Sequence, residues 1–168
     1  GCGTTFRVRL WLGIGDATDL AVGAGEREAP AAAVRYHDTQ VLVVEDHPMN
    51  REIAAELLAS VGITAHMAGN GREALDILSG RGPNAFDLVL MDIQMPIMDG
   101  LSTTREIRLW PGFGDLPIVA MTAHAMEHEK QTTLAAGMDD HLVKPFDTER
   151  FYRVLAKWIP ATKKLDGP

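Results

Sequence analysis

The chain has 168 residues, 46% hydrophobic and 23% charged, which is ordinary globular composition for one domain and a short appendage. Its net charge is −7, and residues 1–37 contribute none of it, because Asp16, Asp19, Glu26 and Glu28 balance Arg7, Arg9, Arg27 and Arg35. An acidic body without a basic patch argues against direct nucleic-acid binding, the lone Cys2 excludes an internal disulfide and suits a reducing, cytoplasmic setting, and no run of about 18 uncharged apolar residues offers a membrane span.

In chain order, residues 6–12 alternate with period two: Phe6, Val8, Leu10 and Leu12 lie on one face, Arg7, Arg9 and Trp11 on the other. That pattern reads as a strand with no visible partner. Residues 13–37 are rich in Gly and Ala and read as a flexible linker, so residues 1–37 are expected to be mostly unpaired. Nothing resembles a secretory signal, and a chain that starts on Gly1 reads as a piece of a longer protein.

From residue 38 to residue 160 short apolar runs alternate with amphipathic stretches, and 161–168 reads as a tail. Strands are predicted at 41–44, 63–67, 87–91, 117–121 and 141–143; helices at 48–61, 71–80, 100–109, 125–136 and 148–159. Five βα repeats imply an α/β fold, a parallel sheet with helices on both faces. Met49, Ile53, Leu57, Leu58 and Val61 mark the apolar face of the first helix; Phe151, Val154, Leu155, Trp158 and Ile159 mark that of the last. Gly62 and Gly137 sit where helix C-caps take glycine. The middle of 125–136 is polar, so this helix should be the most weakly anchored.

Chemistry gathers at the strand ends. The run 86–91 ends on Asp92, Val41-Leu42-Val43-Val44 ends on Glu45 and Asp46, and His141-Leu142-Val143 ends on Lys144. The carboxyl ends of parallel strands are where open α/β sheets bind ligands. Three acids and one lysine sum to −2, which a divalent cation such as Mg²⁺, with its preference for oxygen ligands, would neutralise. A carboxylate so placed can attack a phosphoryl group and form an acyl phosphate. Thr122, after 117–121, could donate to that phosphoryl group or simply cap the next helix. The Lys144–Pro145 bond is a candidate cis peptide. Asp99-Gly100 reads as a turn and cap, His124 and His128 as solvated surface, and Met91, Met95, Met98 and Met121 as packing.

Glu45-Asp46, the stretch Met91-Asp92-Ile93-Gln94-Met95-Pro96-Ile97-Met98-Asp99-Gly100, Thr122-Ala123 and Lys144-Pro145-Phe146 resemble the receiver domain of two-component response regulators over residues 38–160. The resemblance implies a flavodoxin-like sheet of order 2-1-3-4-5 with five helices. It makes Asp92 the phosphoacceptor and places Mg²⁺ on Glu45, Asp46, Asp92 and the backbone carbonyl of Gln94. Thr122 and Lys144 then read the phosphoryl group. The implied partners are the phosphohistidine domain of a histidine kinase, as donor, and a histidine phosphotransfer domain, as onward acceptor. Residues 1–12 look like the end of a kinase ATP-binding domain, and Glu45-Asp46-His47-Pro48-Met49-Asn50 looks like receivers fused to kinases, so the parent reads as a hybrid sensor kinase that can be membrane-anchored elsewhere. One departure is His141, in the slot where the family usually carries the aromatic switch partner of Thr122. Two rivals are a receiver-like module that is never phosphorylated and an aspartate-nucleophile phosphatase; the latter needs an acid two residues after the nucleophile, where this chain has Gln94.

Overall fold

The computed structural model describes residues 34–123 and 127–165. The strand expected at 6–12, most of the expected linker, His124, the start of helix 125–136 and residues 166–168 lie outside the described residues. The described elements run β1 (Arg35–Tyr36), β2 (Gln40–Val44), α1 (Pro48–Ser60), β3 (Thr64–Ala68), α2 (Gly71–Arg81), β4 (Leu88–Asp92), α3 (Gly100–Leu109), β5 (Ile118–Thr122), α4 (Glu127–Ala135), β6 (Asp140–Val143), α5 (Thr148–Trp158) and β7 (Lys164–Leu165).

Five of the strands form one parallel sheet in the order β3-β2-β4-β5-β6, which is the expected doubly wound order with the chain reversing direction across β2 and β4. The period-two arrangement of side chains divides the core. Val41, Val43, Leu88, Leu90, Val119 and Met121 face α1 and α5, against Leu58, Phe151 and Leu155. Leu42, Val44, Val89, Met91, Ile118 and Ala120 face α2 and α3, against Leu75, Leu78 and Ile107. Strands buried on both faces are why these segments read as unbroken apolar runs. Each such side chain contributes about 1.5–3 kcal/mol by leaving water.

Several strands run one residue later than the sequence pattern suggested, so Asp92 and Thr122 are the last residues of β4 and β5. The apolar face of α1 is narrower than its period implied. Leu58 and Val61 are buried with Ala54, but Met49 (63% exposed) and Ile53 (42%) stand in solvent, because the amino-terminal half of the helix extends past the sheet. Gly62 and Gly137 take positive φ at helix ends as expected, and a Cβ at Gly62 would lie 2.7 Å from the carbonyl oxygen of Tyr36.

The linker and tail expectations need correction where they meet the domain. Arg35–Tyr36 pairs antiparallel with Lys164–Leu165, so residues 34–37 and 161–165 belong to the packed body. Tyr36 is 4% exposed, its N–H donates to the carbonyl of Val61 (2.8 Å), and Lys163 pairs with Asp87 at 2.7 Å. Burial of the Tyr36 ring in the core is the reason, and pairing with β7 adds to it. This clip closes over the amino-terminal ends of the strands, opposite the end where the acids converge.

Asp140, opening β6, fixes α5. Its Oδ2 accepts from Lys157 Nζ (2.7 Å) and Trp158 Nε1 (2.9 Å), and its Oδ1 accepts from the His141 N–H. Burial pushes this carboxyl up, but the Lys157 and Trp158 hydrogen bonds outweigh burial and leave its pKa below the ordinary value. A depressed folded pKa stabilises above the unfolded pKa of about 3.9 and loses that contribution as pH falls through the folded value. Asp140→Asn is therefore expected to cost about 1 kcal/mol at pH 7, and the gap to the parent chain should narrow in urea titrations as pH falls below the unfolded value. A gap that stays constant with pH would contradict the assignment.

Candidate functional site

The connections leaving β2, β4, β5 and β6 bring Glu45, Asp46, Asp92, Thr122 and Lys144 to one end of the sheet. Carboxylate oxygens of Glu45, Asp46 and Asp92 lie within 4.8 Å of one another, with Glu45 and Asp92 buried and Asp46 exposed. Lys144 Nζ bridges the two buried acids, 2.5 Å from Glu45 Oε2 and 2.7 Å from Asp92 Oδ2. The Lys144–Pro145 peptide is cis, as the sequence suggested. Lys144 N–H donates to the Thr122 carbonyl at 2.7 Å, which ties the end of β6 to that of β5.

Each acid is held differently. Glu45 is 1% exposed and held by three protein donors: Oε1 accepts from His47 N (3.2 Å) and Asn50 Nδ2 (3.0 Å), while Oε2 takes Lys144. Arg51 Nη1 donates to the carbonyls of Glu45 (2.7 Å) and Asp46 (3.1 Å), pinning the turn that presents both. Asp92 Oδ1 accepts from the Gln94 N–H at 3.2 Å. The loop after Asp92 folds back so closely that Gly100 N–H donates to the Ile93 carbonyl (3.0 Å) and a Cβ at residue 100 would lie 2.0 Å from the Asp92 carbonyl oxygen. Glycine is required at that position. Asp99 beside it caps α3 by accepting from Ser102 N at 2.8 Å, the structural role its sequence suggested.

Electrostatics follow the packing. Burial pushes the Asp92 carboxyl up; Lys144 offsets this in part and the Glu45 charge adds to it, so its pKa stays above the ordinary value. Burial also pushes Glu45 up, but hydrogen bonds from Lys144 and Asn50 bring it below the ordinary value. Burial would lower Lys144, and its bonds to Asp92 and Glu45 raise it instead. The trio of acids and single ammonium leave a net formal charge of −2 at a cluster of hard oxygen donors, one of them open to solvent. That donor set fits Mg²⁺.

The cleft next to the cluster has a volume of about 110 Å³ and is lined by Asp92, Gln94, Thr122, Glu129 and Lys144 among others. Glu129, from α4, was not singled out by the sequence. Its Oε2 accepts from Thr122 Oγ1 at 3.1 Å. Its signal was faint: an acid seven residues after Thr122 on a polar helix whose inward face no apolar periodicity reveals. Asn50 and Arg51 were missed for a similar reason, since polar residues in a first helical turn read as solvated. His141 is half-buried behind Thr122 and Glu129, lining a small hollow with Ile93 and Thr133.

A sheet of this order with acids, threonine and lysine at these strand ends has close counterparts. Residues 41–156 match the response regulator receiver domain family. The chain belongs to that family. The receiver is 38% identical over 154 residues to the sensor histidine kinase GacS of Pseudomonas protegens, a match covering 90% of this chain and 16% of that protein. It thus spans less than a fifth of that relative. Among solved structures it is similar to the receiver domain of sensor histidine kinase PA1611 from Pseudomonas aeruginosa, with magnesium coordinated in its active-site cleft (35% identity, TM-score 0.65, 73% of this chain and 98% of that one). It is also similar to the co-crystal structure of the histidine phosphotransfer signalling protein Ypd1 and the receiver domain of its downstream response regulator Ssk1, from Saccharomyces cerevisiae (26% identity, TM-score 0.69, 78% of this chain and 95% of that one). Among the described residues, no helix is long and apolar enough to cross a membrane.

Proposed function

We propose that this receiver accepts a phosphoryl group from a phosphohistidine onto Asp92 and relays it to a histidine phosphotransfer domain. The observation that supports this most is the Lys144 ammonium bridging the buried Asp92 and Glu45 carboxylates beside an open acid, Asp46. Asp92 and Asp46 would hold Mg²⁺ together with the backbone carbonyl of Gln94, with Glu45 completing the acidic wall. Bound there, Mg²⁺ supplies charge neutralisation for the phosphoryl oxygens.

The chain's own residues carry the rest. A carboxylate oxygen of Asp92 attacks phosphorus in line, the O–P bond forms, and the P–N bond to the donor imidazole breaks with its electron pair left on nitrogen. The Gln94 N–H fixes the Asp92 carboxylate, and Lys144, already 2.7 Å from it, moves little to pair with the incoming phosphoryl charge. Glu45 anchors Lys144 throughout. Thr122 donates its hydroxyl to a phosphoryl oxygen, and His141 takes the neighbouring switch position. Exposed Met49, Ile53 and Ile97, carried by the segments that follow the acids, offer an apolar rim for the partner's helices. The likeness to GacS and to PA1611 supports a hybrid sensor kinase as the parent and the cytoplasm as the compartment, with the donor phosphohistidine in the same or another chain. Likeness to the receiver co-crystallised with Ypd1 supports the onward partner.

Incubating the chain with acetyl phosphate or a phosphorylated histidine phosphotransfer domain tests this by intact mass. One added phosphoryl group is expected with Mg²⁺ and none with EDTA. A chain that stays unmodified with both donors in Mg²⁺ would contradict the proposal.

A further inference from the structure

We propose that Glu129 is a positioning residue: it holds the Thr122 hydroxyl toward α4, so that phosphorylation of Asp92 breaks the Thr122–Glu129 hydrogen bond and loosens α4. The inference rests on the reading of Asp92 as phosphoacceptor.

A threonine hydroxyl carries one proton and donates one hydrogen bond at a time. In this structure Thr122 Oγ1 donates to Glu129 Oε2 at 3.1 Å. Thr122 is 6% exposed and stands at the end of β5, in the same cleft as Asp92 and Lys144. Donation to a phosphoryl oxygen on Asp92 therefore requires that Glu129 be given up. The phosphoryl group also brings about two negative charges into a cleft that the Glu129 carboxylate lines, and like charges repel. Competition for one proton and repulsion between anions act in the same direction.

The described side chains of α4 are mostly polar: Thr133 is buried, Glu129, Lys130 and Thr132 are half-buried, and His128, Gln131, Leu134 and Ala135 are exposed. Thr133 Oγ1 bonds the Lys130 carbonyl within its own helix. The charge-assisted hydrogen bond from Thr122 to Glu129 is a polar tie from the sheet to this helix. The same bond that restrains Thr122 in the resting protein thus serves as the latch of α4, and each side of the equilibrium is felt by the other.

The test uses the whole chain, acetyl phosphate and Mg²⁺, and reads the steady-state ratio of phosphorylated to unphosphorylated protein. Glu129→Ala is expected to raise that ratio about fivefold to tenfold, the size of one hydrogen bond in a partly exposed setting. Glu129→Gln, which keeps an acceptor but no charge, should fall between. In a Thr122→Val background the gain from Glu129→Ala should shrink below about twofold, a coupling that a merely structural role would not produce. Amide exchange across 127–135 should accelerate on phosphorylation of the wild-type chain and be fast beforehand in Glu129→Ala. An unchanged ratio in Glu129→Ala, or an equal gain with and without Thr122, overturns the latch while leaving the phosphoacceptor reading intact. A wild-type chain that takes no phosphoryl group overturns both.

Discussion

Asp92→Asn is expected to take up no phosphoryl group from either donor while remaining folded. An amide oxygen is not a competent nucleophile toward phosphorus, and no other described acid combines burial with contact to Lys144 except Glu45, whose oxygens are already occupied by His47 N–H, Asn50 and Lys144. The fold should tolerate the change. Lys144 keeps Glu45 as its partner at 2.5 Å, and one negative charge leaves a cluster whose acids repel one another. The expected stability change is within about 1 kcal/mol in either direction. Loss of labelling with an unchanged urea midpoint would place the defect in the chemistry. Labelling of the asparagine variant at the wild-type rate would move the acceptor elsewhere.

Arg108→Met is expected to have the largest effect on stability of any surface-reaching side chain. Arg108 leaves the last turn of α3 and spends its guanidinium on backbone. Nε donates to the Gly137 carbonyl (2.8 Å), Nη1 to the carbonyls of Phe113 (2.9 Å) and Leu116 (2.8 Å), and Nη2 to Asp139 Oδ2 (2.8 Å). Asp139 passes the link on, accepting from the Ile118 N–H at 2.7 Å at the start of β5. One side chain therefore ties α3, the loop into β5 and the turn into β6. Methionine keeps the packing of the stem and removes the donors. The Gly137 and Leu116 carbonyls lose their donor, Phe113 keeps only the Leu116 N–H, and Asp139 loses its cation, which together cost about 3–5 kcal/mol. With a urea slope of about 1–3 kcal/mol per molar, the midpoint should fall by roughly 2 M, followed through Trp110 and Trp158. A loss below about 1 kcal/mol would show that water replaces the guanidinium without penalty.

How much of this was legible in the sequence depended on the kind of residue. Asp92, Glu45, Asp46 and Lys144 were legible because each closes an apolar run, and parallel strands must end at the same side of a sheet. Their convergence follows from topology without any contact being known. The sheet order came with the family resemblance, and the alternation of Val41 and Val43 against Leu42 and Val44 shows why both faces had to be covered. Arg35–Tyr36 was hidden because a two-residue strand has no period, and its partner lies more than a hundred residues away. Met49 and Ile53 misled because helical spacing identifies a face but not where along the helix the sheet stops. Arg108 left no pattern and Glu129 only a faint one: a charged residue on a helix reads as solvated until its carbonyl or hydroxyl partners are seen in space.

The account depends on the acids at the ends of β2 and β4 sharing one divalent cation opposite Lys144. Calorimetric titration of the chain with Mg²⁺ tests this most directly, with Asp46→Asn and Lys144→Met alongside. Binding of one ion is expected, with at least a tenfold weaker fit in Asp46→Asn and a tighter one in Lys144→Met, where a competing positive charge of the cluster is gone. Binding that is absent in the parent chain, or indifferent to Asp46, would contradict it.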